Sequence, residues 1–285
     1  MTIREIILVA TSRLKRARIP EPRLEAESLL AYLLKRDSAW LLAHDDAGIT
    51  TNQAKAYAKL VGARARRVPF AQIVGERGFY GRVFAVTKDV LIPRPETELL
   101  VEAVLARATD YETCIDVGTG SGAIGLTLMM ERPNTKAVLY DVSTKALTVA
   151  AANTKRLKLG RRVRLAKLNI LKNKLPEPKG STILLANLPY LPLATWKKAQ
   201  PEVRVHEPKL ALVSGKDGLD HYRALFKNLV RWKRAPQLLA IEAEPGQFEE
   251  LTRLVRETLP TAKIEVLKDL HGDERVLIAT YKNTP

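Results

Sequence analysis

A single cysteine, Cys114, excludes an intrachain disulfide in this 285-residue chain. Its place in the apolar run Thr113-Cys-Ile-Asp-Val117 suits a small core residue better than a nucleophile. Histidine is nearly as scarce, and His44, His206, His221 and His271 lack the short spacings that bring two imidazoles to one metal. No metal is expected, and each reads as a surface or capping residue. No apolar run approaches the roughly 18 residues of a membrane span. The opening Met1-Thr-Ile-Arg-Glu5 has no basic segment followed by an apolar one, so the expectations are no membrane partner and a cytoplasmic location. Acidic residues are the last shortfall: 31 Asp and Glu face 47 Lys and Arg, for a net charge of +16. Such a surface attracts nucleic acid or ribosome-like particles at long range. Residues 1–72 hold 13 Lys/Arg against 7 Asp/Glu, so the charge is spread out and supports weak general affinity rather than one reading surface.

What remains is ordinary globular material, 46% hydrophobic and 27% charged, long enough for one small and one full-sized core. Ile3, Ile6, Ile7, Ala10 and Leu14 recur at helical spacing, as do Ala26, Leu29, Leu30, Leu33 and Leu34 after the breaker Pro20-Glu-Pro22. Short helices over Ser38–Ala43 and about 52–67 complete a helical bundle over residues 1–72. Glycines 75, 78 and 81, set among Phe79, Tyr80, Val83, Phe84 and Val86, predict a β-hairpin linker over 73–92. From 93 to 285 strand-like runs at 113–117, 136–141, 162–166, 181–187 and 237–243 alternate with helical patterns at 122–131, 143–157, 218–232 and 246–258. That alternation predicts βαβ units and a parallel sheet covered on both faces, with 262–267 and 275–280 closing as an antiparallel hairpin.

Two segments carry chemistry. Asp116-Val-Gly118-Thr119-Gly120-Ser121-Gly122 follows a predicted strand and opens a predicted helix. Its glycines let the backbone turn tightly beside a ligand, and free N–H groups at the helix start are expected to face that ligand. A bare tight turn is the plain alternative, but three glycines at alternate positions serve no packing need. Asp141 ends the next strand, where a carboxylate can accept from a ribose diol or cap the following helix, a role Ser143 could share. Asn169, after the third strand, stands where an amide could address an adenine edge.

The second segment is Asn187-Leu188-Pro189-Tyr190, after the apolar run Thr182-Ile-Leu-Leu-Ala186 and therefore at the carboxyl edge of the sheet. An amide nitrogen is a poor nucleophile because its lone pair is delocalised. Two acceptors aimed at its hydrogens, Asn187 Oδ1 and the Leu188 carbonyl, would orient it toward an electrophilic methyl group. Pro189 stiffens the loop and Tyr190 offers a flat apolar face.

On these motifs the sequence resembles the HemK/PrmC family of peptide chain release factor glutamine N5-methyltransferases over nearly its whole length. Phe79-Tyr-Gly-Arg-Val-Phe84, Leu91-Ile-Pro-Arg-Pro-Glu-Thr-Glu98, Val203-Arg-Val-His-Glu-Pro208, Ala211-Leu-Val-Ser-Gly-Lys-Asp-Gly-Leu219 and Asp269-Leu-His-Gly-Asp-Glu-Arg-Val276 are similar to that family's segments. The resemblance implies a Rossmann-like class I methyltransferase domain with a seven-stranded, mostly parallel sheet, behind a helical substrate-recognition domain. S-adenosyl-L-methionine is the implied cofactor, and the Gly-Gly-Gln loop of a class-1 release factor the implied partner. Carried over by position, Gly118, Thr119, Gly120, Ser121 and Gly122 serve the methionine and ribose side of the cofactor. Asp141 takes the ribose hydroxyls, Asn169 and Ile170 the adenine region, and Asn187 to Tyr190 the substrate glutamine.

Two positions depart from the pattern. The family usually has Asn-Pro-Pro-Tyr, and Leu188 replaces the first proline; its carbonyl survives, so the expected loss is one fixed φ angle, about 1 kcal/mol at most. Asn-Leu-Pro-Tyr also resembles the motif of ribosomal RNA adenine dimethyltransferases, the alternative reading, which would not be expected to share Pro93-Arg-Pro-Glu-Thr97 or the leading helices. That same stretch disfavours the ribosomal-protein glutamine methyltransferases. Glu244, where relatives tend to have glycine, reads as a solvated loop residue.

Overall fold

The computed structural model describes residues 1–281. The chain divides into two compact units, one of Met1–Glu76 with Gln200–His206 and one of Arg77–Ala199 with Glu207 onward.

The smaller unit opens with four helices at the predicted places, α1 (Ile3–Arg16), α2 (Pro22–Leu34), α3 (Ser38–Ala43) and α4 (Thr51–Ala65), followed by α5 (Phe70–Val74). Thr2 and Thr50 open α1 and α4 with capping boxes to Glu5 and Gln53, each satisfying two N–H groups that the first turn leaves orphaned. The inward stripes, Ile3, Ile6, Ala10 and Leu14 against Ala26, Leu29, Leu30, Tyr57 and Val61, form one core. Each large aliphatic residue there stabilises the unit by about 1.5–3 kcal/mol. The short α5 is not visible in the sequence, because Pro69 reads as a terminator and five residues are too few to show a period. The helix Pro201–His206 also belongs to this unit. Its Glu202 accepts from Arg64 at 3.1 Å and Arg67 at 2.8 Å, while buried Arg64 also pairs with Glu25.

The larger unit holds a seven-stranded sheet. After the hairpin of β1 (Glu76–Phe79) and β2 (Arg82–Ala85) come β3 (Thr113–Val117), β4 (Lys136–Asp141), β5 (Val163–Lys167), β6 (Thr182–Ala186), β7 (Leu238–Glu242), β8 (Lys263–Lys268) and β9 (Glu274–Thr280). The spatial order is β5-β4-β3-β6-β7-β9-β8, parallel through the first five and antiparallel at β9. The helices of this unit are α6 (Glu98–Arg107), α7 (Ala123–Glu131), α8 (Thr144–Arg156), α9 (Leu193–Lys198), α11 (Asp220–Leu229) and α12 (Phe248–Thr258), α10 being the Pro201–His206 helix of the smaller unit. Strands β6 and β7 are buried at every position because both faces are covered. Cys114, Ile183, Leu185 and Ala240 pack toward α6 and α7. Ile115, Leu184, Leu239 and Ile241 pack toward α11 and α12. Phe79 and Phe84 of the hairpin join the first of these layers, their ring centroids 6.1 Å apart. Asn153 on α8 pins the hairpin through both Ala85 backbone groups and reaches the Ser121 carbonyl at 2.8 Å.

Three helices of the chain beyond residue 93 are not predicted from the sequence. Glu98–Arg107 shows there only as the tail of a motif, although Leu100, Val101, Ala103 and Val104 are its buried stripe. The two six-residue helices α9 and α10 bury no residue, so no periodicity marks them. Among the described residues no helix is long and apolar enough to cross a membrane.

Candidate active site

From β3 the chain steps outward to β4 and β5, then returns to the other side of β3 to lay down β6 and β7. This reversal opens a crevice beyond the carboxyl ends of β3 and β6. Register brings the site residues level there: Val117 pairs with Tyr140 on one side and Ala186 on the other, so Gly118, Asp141 and Asn187 follow from adjacent strand ends. A cavity occupies the crevice.

Of the residues singled out from sequence, Gly118, Gly120, Asp141, Asn169, Ile170, Asn187, Leu188 and Pro189 line the cavity. Thr119, Ser121, Gly122 and Tyr190 stand behind its wall. Thr119 Oγ1 donates to buried Asp116 at 2.6 Å, the Ser121 carbonyl is held by Asn153, and Gly122 begins α7 at φ 84°. Asp116, fully enclosed, also accepts from the Gly125 amide. Burial raises its carboxyl to about 6 against the lowering hydrogen bonds of Thr119 and Gly125. Its work is to brace the turn from beneath.

Within the turn itself most N–H groups are engaged. The Gly118 and Thr119 amides both donate to the Tyr140 carbonyl, the Gly122 amide to Thr119, and the Gly120 amide to Asp141 Oδ2 at 2.9 Å. Asp141 Oδ1 accepts from the Ser143 amide at 2.8 Å, while Ser143 caps α8. Burial raises the Asp141 carboxyl, opposed by the Ser143, Gly120 and Val142 amides. With those donors turned inward and a carboxylate at the rim, the turn is poorly suited to a pyrophosphate anion. It suits a neutral or cationic ligand that brings hydroxyl donors of its own. Gly118 is required for close approach: at φ 78° a Cβ would sit 2.9 Å from Leu188 Cδ2.

The Asn-Leu-Pro-Tyr loop is held from several directions. Asn187 Nδ2 donates to Thr97 Oγ1 at 3.3 Å, and the buried Asn187 Oδ1 has no partner. Leu188, buried, restores an amide that a proline would lack, and Tyr222 Oη accepts from it at 3.2 Å. Tyr222 in turn donates to the Glu242 carbonyl. The rigidity expected to be lost with the proline is thus partly replaced by a buried hydrogen bond. The Tyr190 carbonyl accepts from Gln247 Nε2 at 3.0 Å, and Gly218, at φ 86°, lies so close that its Cβ would stand 2.0 Å from that oxygen. Gly218→Ala must therefore displace the loop. The expected result is a fall in turnover on the order of 10²-fold in steady-state assays, and wild-type rates would contradict this packing.

Opposite, the Glu207 carboxylate ties Arg94 at 2.5 Å and the Ile92 amide at 3.2 Å, fixing the Pro-Arg-Pro segment beside the cavity-lining Val90 and Leu91. Asn169 Oδ1 accepts from the Leu171 amide, so its turn is self-stabilised. Glu244 is half-buried, its amide donating to Gln247. His221 also lines the cavity, half-buried, its Nδ1 2.6 Å from Ser214 Oγ; the surface or capping role expected for it is corrected. Sequence reasoning missed Thr97, Tyr222, Glu242, Gly218 and Gln247 as site residues, because each reaches the loop from a distant element.

Residues 5–75 match the PrmC N-terminal domain, and residues 95–191 match the methyltransferase small domain. The chain is 39% identical to a release factor glutamine methyltransferase of Cereibacter sphaeroides, over 98% of both chains. It is 36% identical to one of Moorella thermoacetica over 98% of both, and 34% identical to one of Bacillus cereus over 89% of this chain and 90% of that. Among solved structures, the hMettl16 catalytic domain in complex with MAT2A 3'UTR hairpin 1 is similar at a TM-score of 0.60 and 12% identity, covering 90% of this chain and 92% of that. This last likeness is one of fold.

Proposed function

We infer the reaction from one premise: the chain belongs to the release factor glutamine methyltransferase family. It is an S-adenosylmethionine-dependent enzyme that methylates the side-chain amide nitrogen of a release factor glutamine. We place that glutamine in the Gly-Gly-Gln loop of class-1 release factors, and the reaction in the cytoplasm.

The observation that carries the assignment of the site is the Asn187 side chain, anchored through Nδ2 and left with an unpartnered buried Oδ1. Because Asn187 also lines the cavity, this acceptor is available to a ligand there. Asn187 Oδ1 and the Leu188 carbonyl each accept one hydrogen of the substrate NH2, fixing its plane. Pro189 shapes the floor for the planar amide, with Tyr190 next to it in the chain. Asp141 accepts from the ribose hydroxyls of the cofactor, Ile170 packs on its adenine with Asn169 beside it, and Gly118 and Gly120 allow close approach of the rest. Thr119, Ser121 and Gly122 support that turn from behind. S-adenosylmethionine, when bound, supplies an electrophilic methyl group on a sulfonium centre. The residues contribute position rather than proton transfer, because the product amide can release its proton to water after attack.

The basic surface supports a weak contact with RNA or the ribosome. Beside the site, Lys197, Lys198, Lys209 and Lys216 rim a groove floored by Leu193, Ala194 and Val213. Retention on immobilised ribosomal RNA should fall steeply as salt rises, and salt-insensitive or absent retention would remove this part of the reading.

The test of function is incubation with labelled methyl donor and a purified release factor, followed by mapping of the label by mass spectrometry. Label on the Gly-Gly-Gln glutamine is expected. Label on RNA alone would select an adenine methyltransferase, the reading that family membership does not favour.

A further inference from the structure

Glu242 closes β7 in the middle of the sheet, 2% exposed, and its Oε2 has no partner. A carboxyl in such a place is costly to keep, and neither cofactor nor substrate binding as described above uses it. Its surroundings supply a reason. Asn187 and Glu242 directly follow the paired residues Ala186 and Ile241 on neighbouring strands, and Asn187 and Thr97, at the end of the 3-10 turn Pro95–Thr97, both act to lower the Glu242 carboxyl. Asn187 Nδ2 also donates to Thr97 Oγ1. With one lone pair engaged by the amide, the Thr97 hydroxyl has its own proton left to offer the carboxylate. A carboxylate is acceptor only, so any bond that Asn187 or Thr97 makes to Glu242 runs toward Glu242.

Direction matters because an asparagine amide has two orientations of nearly equal shape. With Nδ2 toward Glu242, Oδ1 is left to accept. Turned over, Oδ1 would lie against a carboxylate, and two N–H groups would face the NH2 of a glutamine, donor against donor. We propose that Glu242 and Thr97 are positioning residues that lock the Asn187 amide in the one orientation that accepts from the substrate nitrogen. This rests on the acceptor role given above to Asn187.

The lock has a consequence in pH. A protonated Glu242 gains a donor and no longer forbids the reversed amide. The groups that face the Glu242 carboxyl are Arg275 on β9, Glu96 in the 3-10 turn, Tyr190 in the loop and Tyr222 on α11. Burial raises the carboxyl to about 7, against the lowering effect of Thr97, Arg275 and Asn187, while Glu96 pushes it further up. Turnover should fall as pH drops through that region.

The experiment compares kcat, KM and donor affinity for Thr97→Val, Thr97→Ser and Glu242→Gln with the wild type, using Asn187→Ala as reference. Thr97→Val keeps shape and removes the oxygen; kcat is expected to fall on the order of 10-fold to 10²-fold with donor affinity unchanged. Thr97→Ser should restore kcat to near the wild-type value. The acid limb of kcat seen in the wild type should be lost or displaced in Glu242→Gln. Equal kcat for Thr97→Val and Thr97→Ser, or an acid limb unmoved in Glu242→Gln, would overturn the lock. Should Glu242→Gln not fold, the valine and serine pair decides alone. An active Asn187→Ala would defeat the acceptor role itself; an inactive one beside an unaffected Thr97→Val would defeat only the lock.

Discussion

Asn187→Ala is expected to lower kcat by on the order of 10²–10³-fold while leaving the Kd for S-adenosylmethionine within about 2-fold of wild type. The substrate amide has little intrinsic nucleophilicity, so the reaction depends on holding its nitrogen in line with the methyl carbon. Alanine removes the acceptor and leaves Thr97 Oγ1 without its Asn187 donor, but Asp141 and Ile170, the residues proposed for the cofactor, follow other strands. Asn187→Asp should be no better. It restores two oxygens but sets a second carboxylate beside Glu242, and like charges that close cannot both ionise freely. Steady-state kinetics with calorimetric titration of the donor separate the two quantities, and a parallel loss of both would mean that the variant collapses the crevice.

Asp141→Ala is expected to act on the other axis, weakening donor affinity on the order of 10²-fold. The carboxylate does two things at once. It accepts the Gly120 and Ser143 amides at 2.9 and 2.8 Å, and it lines the cavity, where we propose that it also accepts from a ribose diol. Removing it orphans two amides and frees the glycine turn to move. Asp141→Asn should fall between, since an amide keeps one acceptor oxygen and sets an NH2 against one of the donors. Isothermal titration of the three proteins gives the order wild type, Asn, Ala; equal affinities would remove Asp141 from the cofactor site.

The parts of the site that are contiguous in the chain are legible in the sequence. The glycine turn after an apolar strand, the acid at the end of the next strand and Asn187-Leu-Pro-Tyr190 all stand at strand ends, and strand alternation places strand ends together. The sheet is legible for the same reason: β6 and β7 read as unbroken apolar runs because both faces are covered. What the sequence hides is whatever depends on contacts between distant elements. Thr97 lies 90 residues from Asn187 and Tyr222 lies 34 residues from Leu188. Gly218 looks like any loop glycine until the Tyr190 carbonyl is seen against it. Nor does the sequence reveal that the Tyr140 carbonyl and the Asp141 carboxylate take up the Gly118, Thr119 and Gly120 amides of the glycine turn. Short polar helices such as α9 and α10 have no buried stripe and so leave no period to detect.

The central claim is one of geometry and is best met by a crystal structure of the protein with S-adenosylhomocysteine and a peptide carrying the Gly-Gly-Gln sequence. The glutamine side-chain nitrogen is expected within hydrogen-bonding distance of both Asn187 Oδ1 and the Leu188 carbonyl, with Asn187 Nδ2 still on Thr97. A glutamine side chain bound elsewhere, or an Asn187 amide reversed so that Nδ2 faces the ligand, would contradict it.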